Sequence, residues 1–517
     1  MQNRLLTSFL FLFLFIHVSE GSAQKISHTQ QNMEYEKEYS VTLKGASKTP
    51  ISDHIMGFNL VYPQESDAVW EDGKVEQHLK DVNTSVLRWP GGTVSTYYHW
   101  DNLTGRKPPW RDNWDPNQSV TAQPDSEFMD IDEYLDLIAG TGATPLMGIN
   151  IDSGRRWDRM EDGINEALAL MQYVKDKGIK VKYWYLGNEP YLEGSNGGIK
   201  SPKDYANLVN VFADAMREFD PDIKIVANWG QGFGQGFENR YHEYLDIMTI
   251  AGHNIDIVDV HWYWKYGGPT MELWLEDTPM KLHTGETYIE EIAMFKEQMA
   301  FWSTHEDYDL EHVQLAALEW NTGGISDGQL TPDQLALMQS ELMMQFILGG
   351  LDMATFWPLQ WQNIPNNPRS FVDRYNNNNA HPVYNIFKFL GKFQGGSLIS
   401  KQVTQSQSNV LNLVAMDKED NTLRVSFLNK NDENIRVNLG SDQFDGARLQ
   451  SAQTYTYETA SINLLEKGTE GISFVAPTLS MTMLTFEDIT ITSIDDHGNE
   501  SEQPVDFALN QNYPKSF

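Results

Sequence analysis

Apolar and polar residues along the middle of the chain follow a repeating order of strand and helix. Eight short apolar runs rich in β-branched and aromatic residues have the length of buried strands. They span residues 55–60, 85–89, 145–150, 181–187, 223–228, 255–262, 313–319 and 353–357. Longer stretches between them have apolar residues at every third or fourth position, which is typical of amphipathic helices. These predicted helices span residues 131–139, 164–177, 205–219, 288–301 and 335–347.

This alternation predicts an α/β fold, a (β/α)8 TIM barrel over residues 47–395. Periodicity alone also allows an open, doubly wound sheet. No glycine-rich fingerprint follows the first strand, which weighs against a nucleotide-binding version of that sheet.

The pattern changes near Gly395, where the helical periodicity ends. Short runs of alternating apolar and polar residues replace it at 410–415, 423–428, 435–439, 452–457, 472–475 and 481–486. They predict a C-terminal antiparallel β-sandwich over residues 397–490. A segment before the barrel, residues 38–46, is expected to add a strand to it.

Both ends of the chain resemble export signals. Arg4 precedes an apolar run at 10–16, and small residues follow at 21–23. Because a membrane-spanning helix needs about 20 apolar residues, this pattern predicts a signal peptide over 1–23 rather than an anchor. A secreted or cell-surface protein without an integral membrane segment is therefore expected. The acidic tail, 491–517, contains a stretch at 507–514 that resembles the start of a type IX secretion sorting signal.

Composition excludes several classes of function. The 517 residues are 40% hydrophobic, which is enough for a large core, and carry a net charge of −34. A surface this acidic repels phosphate backbones, so no nucleic-acid partner is expected. The chain has no cysteine, which removes disulfides, thiol nucleophiles and cysteine–zinc sites.

Two glutamates stand where predicted barrel strands end. Glu189 ends the fourth strand and Glu319 ends the seventh. Barrel enzymes carry their chemistry at the C-terminal ends of the strands, and burying a carboxylate there is unfavourable unless it is paired or functional. Two carboxylates at one barrel mouth are what glycoside hydrolysis requires.

The motif Asn188-Glu189-Pro190, together with Glu319, resembles the clan of retaining glycosidases built on (β/α)8 barrels. The resemblance implies that Glu189 is the acid/base, that Glu319 is the nucleophile, and that Asn188 holds the sugar 2-hydroxyl. Double displacement then requires a raised pKa at Glu189 and an ionised Glu319. No cofactor is implied.

Other segments narrow the resemblance to family 51 α-L-arabinofuranosidases. The stretch 86–92, which contains Arg88 before Pro-Gly-Gly, is similar to that family, as is His261-Trp-Tyr263 on the sixth strand. The resemblance implies substrate-site roles for Arg88, His261 and Tyr263, and for Gln360 after the eighth strand. Trp357, at the end of that strand, offers an aromatic surface for a sugar face.

Three departures from the family leave the substrate open. Thr93 replaces the usual Asn after Pro-Gly-Gly, Pro190 replaces the usual Met, and residues 57–62 contain no substrate-binding acid. An agarase-like, porphyranase-like or xylosidase-like pyranosidase of the same clan is the alternative to an arabinofuranosidase. The expected substrate is a plant or algal polysaccharide or its oligosaccharides.

Rival classes have less support in the sequence. A noncatalytic carbohydrate-binding protein on a degenerate barrel would be expected to lack one of the two glutamates. A metal-dependent hydrolase is disfavoured because the histidines are scattered without ligand spacing, and no metal is expected. A serine hydrolase is disfavoured because no Gly-x-Ser-x-Gly elbow follows a strand. The sequence does not address the oligomeric state.

Overall fold

The computed structural model describes residues 37–100, 112–117, 125–192, 199, 201–230, 241–305, 309–324, 329–361, 367–403, 410–416, 422–440, 448–456, 464–468 and 471–488. The predicted signal peptide at 1–23 and the predicted sorting signal at 491–517 lie outside these residues. Among the helices of the described residues, none has the length and apolar character needed to cross a membrane.

The chain forms strands and helices in the order that the pattern predicts. The strands are β1 Lys37–Pro50, β2 Gly57–Asn59, β3 Val86–Trp89, β4 Thr144–Ile149, β5 Tyr183–Leu186, β6 Lys224–Asn228, β7 Ile257–Trp264, β8 Gln314–Thr322, β9 Met353–Phe356, β10 Val372–Asp373, β11 Asn379–Ala380, β12 Ser397–Val403, β13 Val410–Met416, β14 Leu423–Asn429, β15 Ile435–Gly440, β16 Arg448–Thr456, β17 Leu464–Gly468, β18 Gly471–Ala476 and β19 Ser480–Glu487. The helices are α1 Asp67–Trp70, α2 Lys74–Asp81, α3 Ile131–Thr141, α4 Asp152–Arg156, α5 Met160–Asp176, α6 Pro202–Phe219, α7 Tyr241–Ala251, α8 Met271–Glu276, α9 Tyr288–His305, α10 Pro332–Gly349 and α11 Val383–Leu390.

Strands β2 to β9 close into a parallel eight-stranded barrel. Closure is direct, because β2 pairs with β3 on one side and with β9 on the other. The predicted barrel is therefore confirmed and the open sheet is excluded. A separate apolar core fills the barrel interior; its members are Val86, Leu146, Tyr183, Tyr185, Val226, Ile257, Ala316, Leu318 and Met353.

Local sequence signals set the ends of the barrel helices. Helix α3 begins with a capping box between Asp130 and Glu133 and ends at Gly142 in the left-handed region. Thr331 and Gln334 form the same capping arrangement at the start of α10. Such caps satisfy backbone N–H groups that have no partner within the helix.

The second sheet has nine strands in the order β16-β19-β14-β13-β12-β1-β15-β18-β17. Phe427 and Leu484 from one half share an apolar core with Val437 and Phe474 from the other, so the sheet folds over on itself as a sandwich. The predicted sandwich is confirmed, with one difference in pairing. Strand β1 lies inside the sheet, antiparallel to β12 and parallel to β15.

Lys430 joins the sandwich to the barrel. It follows β14, and its buried Nζ donates to the Asp277 carbonyl at 2.9 Å and pairs with Glu341 Oε2 at 3.0 Å. The same ammonium lies 4.8 Å from the ring centroid of Trp274. Since Asp277 and Trp274 belong to the segment after barrel strand β7, the sandwich supports a segment that leads from the barrel mouth.

Candidate active site

The barrel brings Glu189 and Glu319 to one mouth. Counted from β2, they lie at the ends of the fourth and seventh barrel strands, β5 and β8, as predicted. Glu189 has a left-handed backbone, with φ of 46°, and its N–H donates to Asn228 Oδ1 at 2.8 Å. A left-handed backbone that is held by such a hydrogen bond is typical of residues whose side chain must point in one direction.

Arg88 is the buried centre of the site. Its Nη1 donates to Glu319 Oε1 at 2.9 Å and to Asn59 Oδ1 at 2.9 Å, and its Nη2 donates to Asn188 Oδ1 at 2.7 Å. The guanidinium also lies 4.4 Å from the centroid of the Tyr185 ring. These contacts hold the cation against Glu319 and orient Asn188.

Asn59 is a site residue that sequence reasoning missed. Its Nδ2 donates to the Leu318 carbonyl at 2.7 Å and to Thr355 Oγ1 at 3.1 Å, which ties together the ends of β2, β8 and β9. The side chain is fully buried. A polar residue at the end of an otherwise apolar first strand was the signal that could have identified it.

His261 lies between the two glutamates. Its Nδ1 is 3.0 Å from Glu189 Oε1 and 3.4 Å from Glu319 Oε2, and Asp259 Oδ2 is 3.2 Å from its Nε2. Tyr263 donates to Glu319 Oε2 at 2.8 Å. Both predicted strand-six residues therefore reach the carboxylate pair.

Electrostatics in the cluster favour a charged imidazole. Burial disfavours the cation, but the carboxylates of Glu319, Asp259 and Glu189 outweigh burial and raise the pKa of His261 to about 10. Burial raises the pKa of Glu319 despite the opposing charges of His261 and Arg88. At Glu189, burial is outweighed by the hydrogen bonds from His261 and Tyr191, so its pKa is lowered.

These directions differ from those that the sequence predicted for the two glutamates. The acid/base was expected to have a raised pKa, whereas the imidazolium of His261 stabilises the ionised form of Glu189. The nucleophile was expected to stay ionised, whereas Glu319 is more deeply buried, with its side chain 5% exposed against 17% for Glu189. The surrounding charges therefore favour a proton on His261 over one on Glu189.

Gln360 lies beside an acid that the sequence did not identify. Its Nε2 donates to Glu65 Oε2 at 2.7 Å and to the Gln64 carbonyl at 2.5 Å. Burial raises the pKa of Glu65 to about 8. The sequence showed no acid at residues 57–62, and the structure brings one from the loop that follows β2.

Trp357 packs on the Pro-Gly-Gly segment. A Cβ on Gly92 would lie 2.4 Å from the Trp357 ring, and Gly92 has φ of 66°. Only glycine combines this backbone with the close approach of an indole. Trp357 is part-buried, and its ring meets Trp361 edge-on at 6.2 Å.

Trp114, in the described segment 112–117, packs against His99 and Arg159 of the barrel domain. Its ring lies 4.5 Å from the His99 ring and 4.2 Å from the Arg159 guanidinium. His99 is held between Asp112 Oδ1 at 3.1 Å and Glu166 Oε2 at 2.9 Å.

One group of three residues in the described part of the chain has the geometry to hold a metal ion. Glu189, His261 and Glu319 each offer one ligand atom, and these atoms lie within 4.8 Å of one another. Arg88 and the charged His261 already neutralise these carboxylates, so an ion would have to displace protein cations. The arrangement fits proton transfer better than metal binding.

Comparisons with known proteins point to one family. Residues 78–267 match the family described as Alpha-L-arabinofuranosidase 1 domain. The intracellular exo-alpha-L-arabinofuranosidase of Bacteroides ovatus is 29% identical over 196 residues, which cover 36% of this chain and 36% of the relative. The intracellular exo-alpha-(1->5)-L-arabinofuranosidase of Streptomyces lividans is 24% identical over 206 residues, which cover 36% of this chain and 29% of the relative. The chain thus spans about a third of the length of these relatives.

Solved structures share the fold. A family 51 alpha-L-arabinofuranosidase from Bifidobacterium longum superposes with a TM-score of 0.65 at 16% identity, covering 87% of this chain and all of that one. The predicted fold and the predicted resemblance to family 51 are confirmed. The same relatives support the assignment to the glycoside hydrolases.

The predicted secretion is wrong. The relatives from Bacteroides ovatus and Streptomyces lividans are named intracellular enzymes, which contradicts a secreted or cell-surface location. The prediction depended on Arg4, the apolar run at 10–16 and the small residues at 21–23, a local pattern that lies outside the described residues.

Proposed function

We propose that this protein is a retaining glycoside hydrolase that releases α-L-arabinofuranosyl units from a plant or algal polysaccharide or its oligosaccharides. The observation that carries the proposal is the carboxylate pair. An oxygen of Glu189 and an oxygen of Glu319 lie within 4.8 Å of each other at the barrel mouth. Retaining enzymes have carboxyl groups about 5–5.5 Å apart, whereas inverting enzymes need roughly 6.5–9.5 Å to admit a water.

In this mechanism Glu319 attacks the anomeric carbon as the bond to the leaving oxygen breaks. Glu189 gives that oxygen a proton, and a covalent glycosyl–enzyme ester remains on Glu319. Water then attacks the same carbon, its proton passes to Glu189, and the carboxylate of Glu319 is released. Hydrogen bonds from Arg88 and Tyr263 stabilise that carboxylate as nucleophile and as leaving group.

His261 supports the acid role of Glu189. The two share a hydrogen bond of 3.0 Å, so a proton that rests on the imidazolium can move to Glu189 without changing the total charge of the site. Asp259, on the other ring nitrogen, holds the imidazole in place. Glu189 can therefore act as an acid although its pKa in the free protein is lowered.

Several buried polar atoms are suited to sugar hydroxyl groups. Asn188 Nδ2 is buried and has no hydrogen-bond partner among the described residues, while its Oδ1 is held by Arg88. The Oε1 atoms of Gln360 and Glu65 are also buried and have no hydrogen-bond partner among the described residues. We assign Asn188 to the 2-hydroxyl, Gln360 and Glu65 to other hydroxyls, and Trp357 to the sugar face.

The stereochemistry of the product tests the mechanism. Proton NMR during hydrolysis of 4-nitrophenyl α-L-arabinofuranoside should show the α-anomer first, with the β-anomer appearing only by mutarotation. First appearance of the β-anomer would refute the double displacement.

Variants test the roles of the two glutamates. Glu319→Ala should abolish turnover, and added azide should restore it by taking the place of the carboxylate. Glu76→Gln, which removes the charge of a part-exposed carboxylate that pairs with Lys80 on α2, is the control and should have wild-type activity. Near-wild-type activity in Glu319→Ala would end the assignment.

A substrate panel separates the alternatives. Release from the arabinofuranoside supports the family 51 resemblance despite Thr93 and Pro190. Hydrolysis confined to β-D-xyloside, agarose or porphyran would instead indicate a pyranosidase of the same clan. Binding of these glycans without any hydrolysis would indicate a carbohydrate-binding protein.

A further inference from the structure

Tyr266 stands at the rim of the barrel mouth, directly after β7. We propose that its ring is a stacking surface for a second sugar unit of the substrate, on the leaving-group side of the bond that is cleaved. This inference rests on the proposed function and specifies the substrate as an oligosaccharide whose leaving group is itself a sugar.

The exposure of Tyr266 is unusual for this chain. The residue is 75% exposed, whereas the other exposed large hydrophobic residues in the described part of the chain range from 41% to 51%. Single apolar residues on a surface are normal, so exposure alone does not define a site. The position of Tyr266 beside Tyr263 and the packing of its backbone are the observations that indicate a site.

Tyr266 lies one aromatic ring away from the nucleophile. Its ring contacts Tyr263 edge-to-face at a centroid distance of 6.1 Å, and the Tyr263 hydroxyl donates to Glu319 Oε2 at 2.8 Å. A sugar attached to the unit that Glu319 attacks would therefore pass close to Tyr266.

The backbone holds Tyr266 in place. Lys265 is in the left-handed region, with φ of 51°, and its ammonium pairs with Asp277 at 3.3 Å. Gly323, which follows β8, packs so closely on this turn that a Cβ there would lie 2.2 Å from the Lys265 carbonyl oxygen and 2.5 Å from Tyr266 Cα. Because the backbone at Tyr266 is already held, only the rotations of its side chain have to be ordered when a ligand binds.

The order of strands places Tyr266 on the leaving-group side. Glu319 lies on the seventh barrel strand, and Asn59, Arg88 and Gln360 approach from the first, second and eighth strands. Tyr266 follows the sixth strand, on the half of the barrel that also carries Glu189 on the fourth. Because Glu189 protonates the leaving oxygen, the leaving sugar lies toward this half.

Stacking of a sugar on tyrosine has a simple physical basis. The C–H face of a sugar ring is apolar and can cover an aromatic face, while its hydroxyls stay in water. Tyr266 would then contribute to binding of the leaving sugar and not to the bond-breaking step.

The test compares substrates with and without a second sugar. Tyr266→Ala should lower kcat/KM for arabinobiose and arabinotriose by about tenfold through KM, because the leaving sugar then loses its contact with the aromatic ring. Methyl α-L-arabinofuranoside, which has no second ring, should be hydrolysed at an unchanged rate. Tyr266→Phe should retain wild-type values, and Phe301→Ala, which removes an exposed aromatic from helix α9, is the matched control.

Two outcomes would overturn the inference: no change on the oligosaccharides, or an equal loss on the methyl glycoside. Calorimetric titration of arabinotriose into Glu319→Gln, with and without Tyr266→Ala, measures stacking without turnover. Equal affinity in the two variants would also overturn it. If the wild type hydrolyses no arabinofuranoside but this titration shows the tenfold difference, the proposed function fails and the sugar-stacking surface stands.

Discussion

Arg88 Nη1 and Glu319 Oε1 form an ion pair of 2.9 Å inside the barrel, with side chains 0% and 5% exposed. Breaking a buried pair by removing one partner is unfavourable because the other charge stays buried without compensation. Arg88 also orients Asn188, so one side chain sets both the charge and the geometry of the site.

Two replacements of Arg88 should therefore separate its effect on activity from its effect on stability. Arg88→Lys keeps the charge but cannot reach Glu319, Asn59 and Asn188 together, and we expect kcat/KM to fall by about 10²-fold. Arg88→Met removes the cation that lies 2.9 Å from the buried carboxylate of Glu319, although His261 and Tyr263 still contact it, and should lower the free energy of unfolding by about 3–5 kcal/mol. Kinetics and denaturant titration measure the two effects, and a fully active Lys variant would contradict the role of the guanidinium.

His261→Asn should shift the pH profile. The imidazolium lowers the pKa of Glu189, so its removal should raise that pKa. In the wild type the proton that the reaction uses is shared by His261 and Glu189, and the pKa of His261 is about 10. Without His261 that proton rests on the carboxyl group of Glu189 alone, so the alkaline limb of the kcat/KM profile should move to lower pH, while maximal activity falls. An alkaline limb that stays in place or moves to higher pH would show that His261 does not hold the transferable proton.

Gly92→Ala should displace Trp357. The new Cβ would overlap the indole, and alanine is strained at φ of 66°, so we expect a loss of about 1–3 kcal/mol of stability. If Trp357 forms the floor of the sugar site, KM should rise more than kcat falls. Gly178→Ala tests the backbone alone, because that glycine has φ of 77° and open space around it. A similar rise of KM in both variants would argue against a contact between Trp357 and the sugar.

The pair formed by Lys430 and Glu341 should couple the sandwich to the barrel. Lys430→Met should lower the free energy of unfolding by about 3–5 kcal/mol, because the carboxylate of Glu341 then stays buried without the ammonium that pairs with it. In the double variant Lys430→Met/Glu341→Gln the loss should be smaller than the sum of the single losses. Denaturant unfolding of the four proteins gives the coupling energy, and additive losses would exclude the coupling.

The His99 cluster should make stability depend on pH. Burial opposes the charge, but Asp112 and Glu166 raise the pKa of His99 to about 9, above its value of about 6.5 in an unfolded chain. The charged His99 therefore contributes its full stabilisation of the folded protein below about pH 6.5, and this stabilisation is lost as the pH rises through 9. The difference in Tm between the wild type and His99→Gln should shrink over this range, and a constant difference would contradict the assignment.

The sequence by itself determined the barrel, the sandwich and the positions of both glutamates. Buried strands and amphipathic helices leave a periodic trace in the chain, and a polar residue at the end of an apolar strand stands out from it. Glu189, Glu319, Arg88 and Tyr263 were found in this way or through family motifs, and the structure brings them together.

Only the tertiary structure decided the contacts between distant segments. Asn59 and Glu65 enter the site from the first strand and its loop, and no local pattern shows which side chains they meet across the barrel. The charge state of His261 was also beyond the sequence, because it depends on how close Asp259, Glu189 and Glu319 lie in a buried environment. Periodicity records which face of an element is buried, whereas distances between charges depend on how the elements pack.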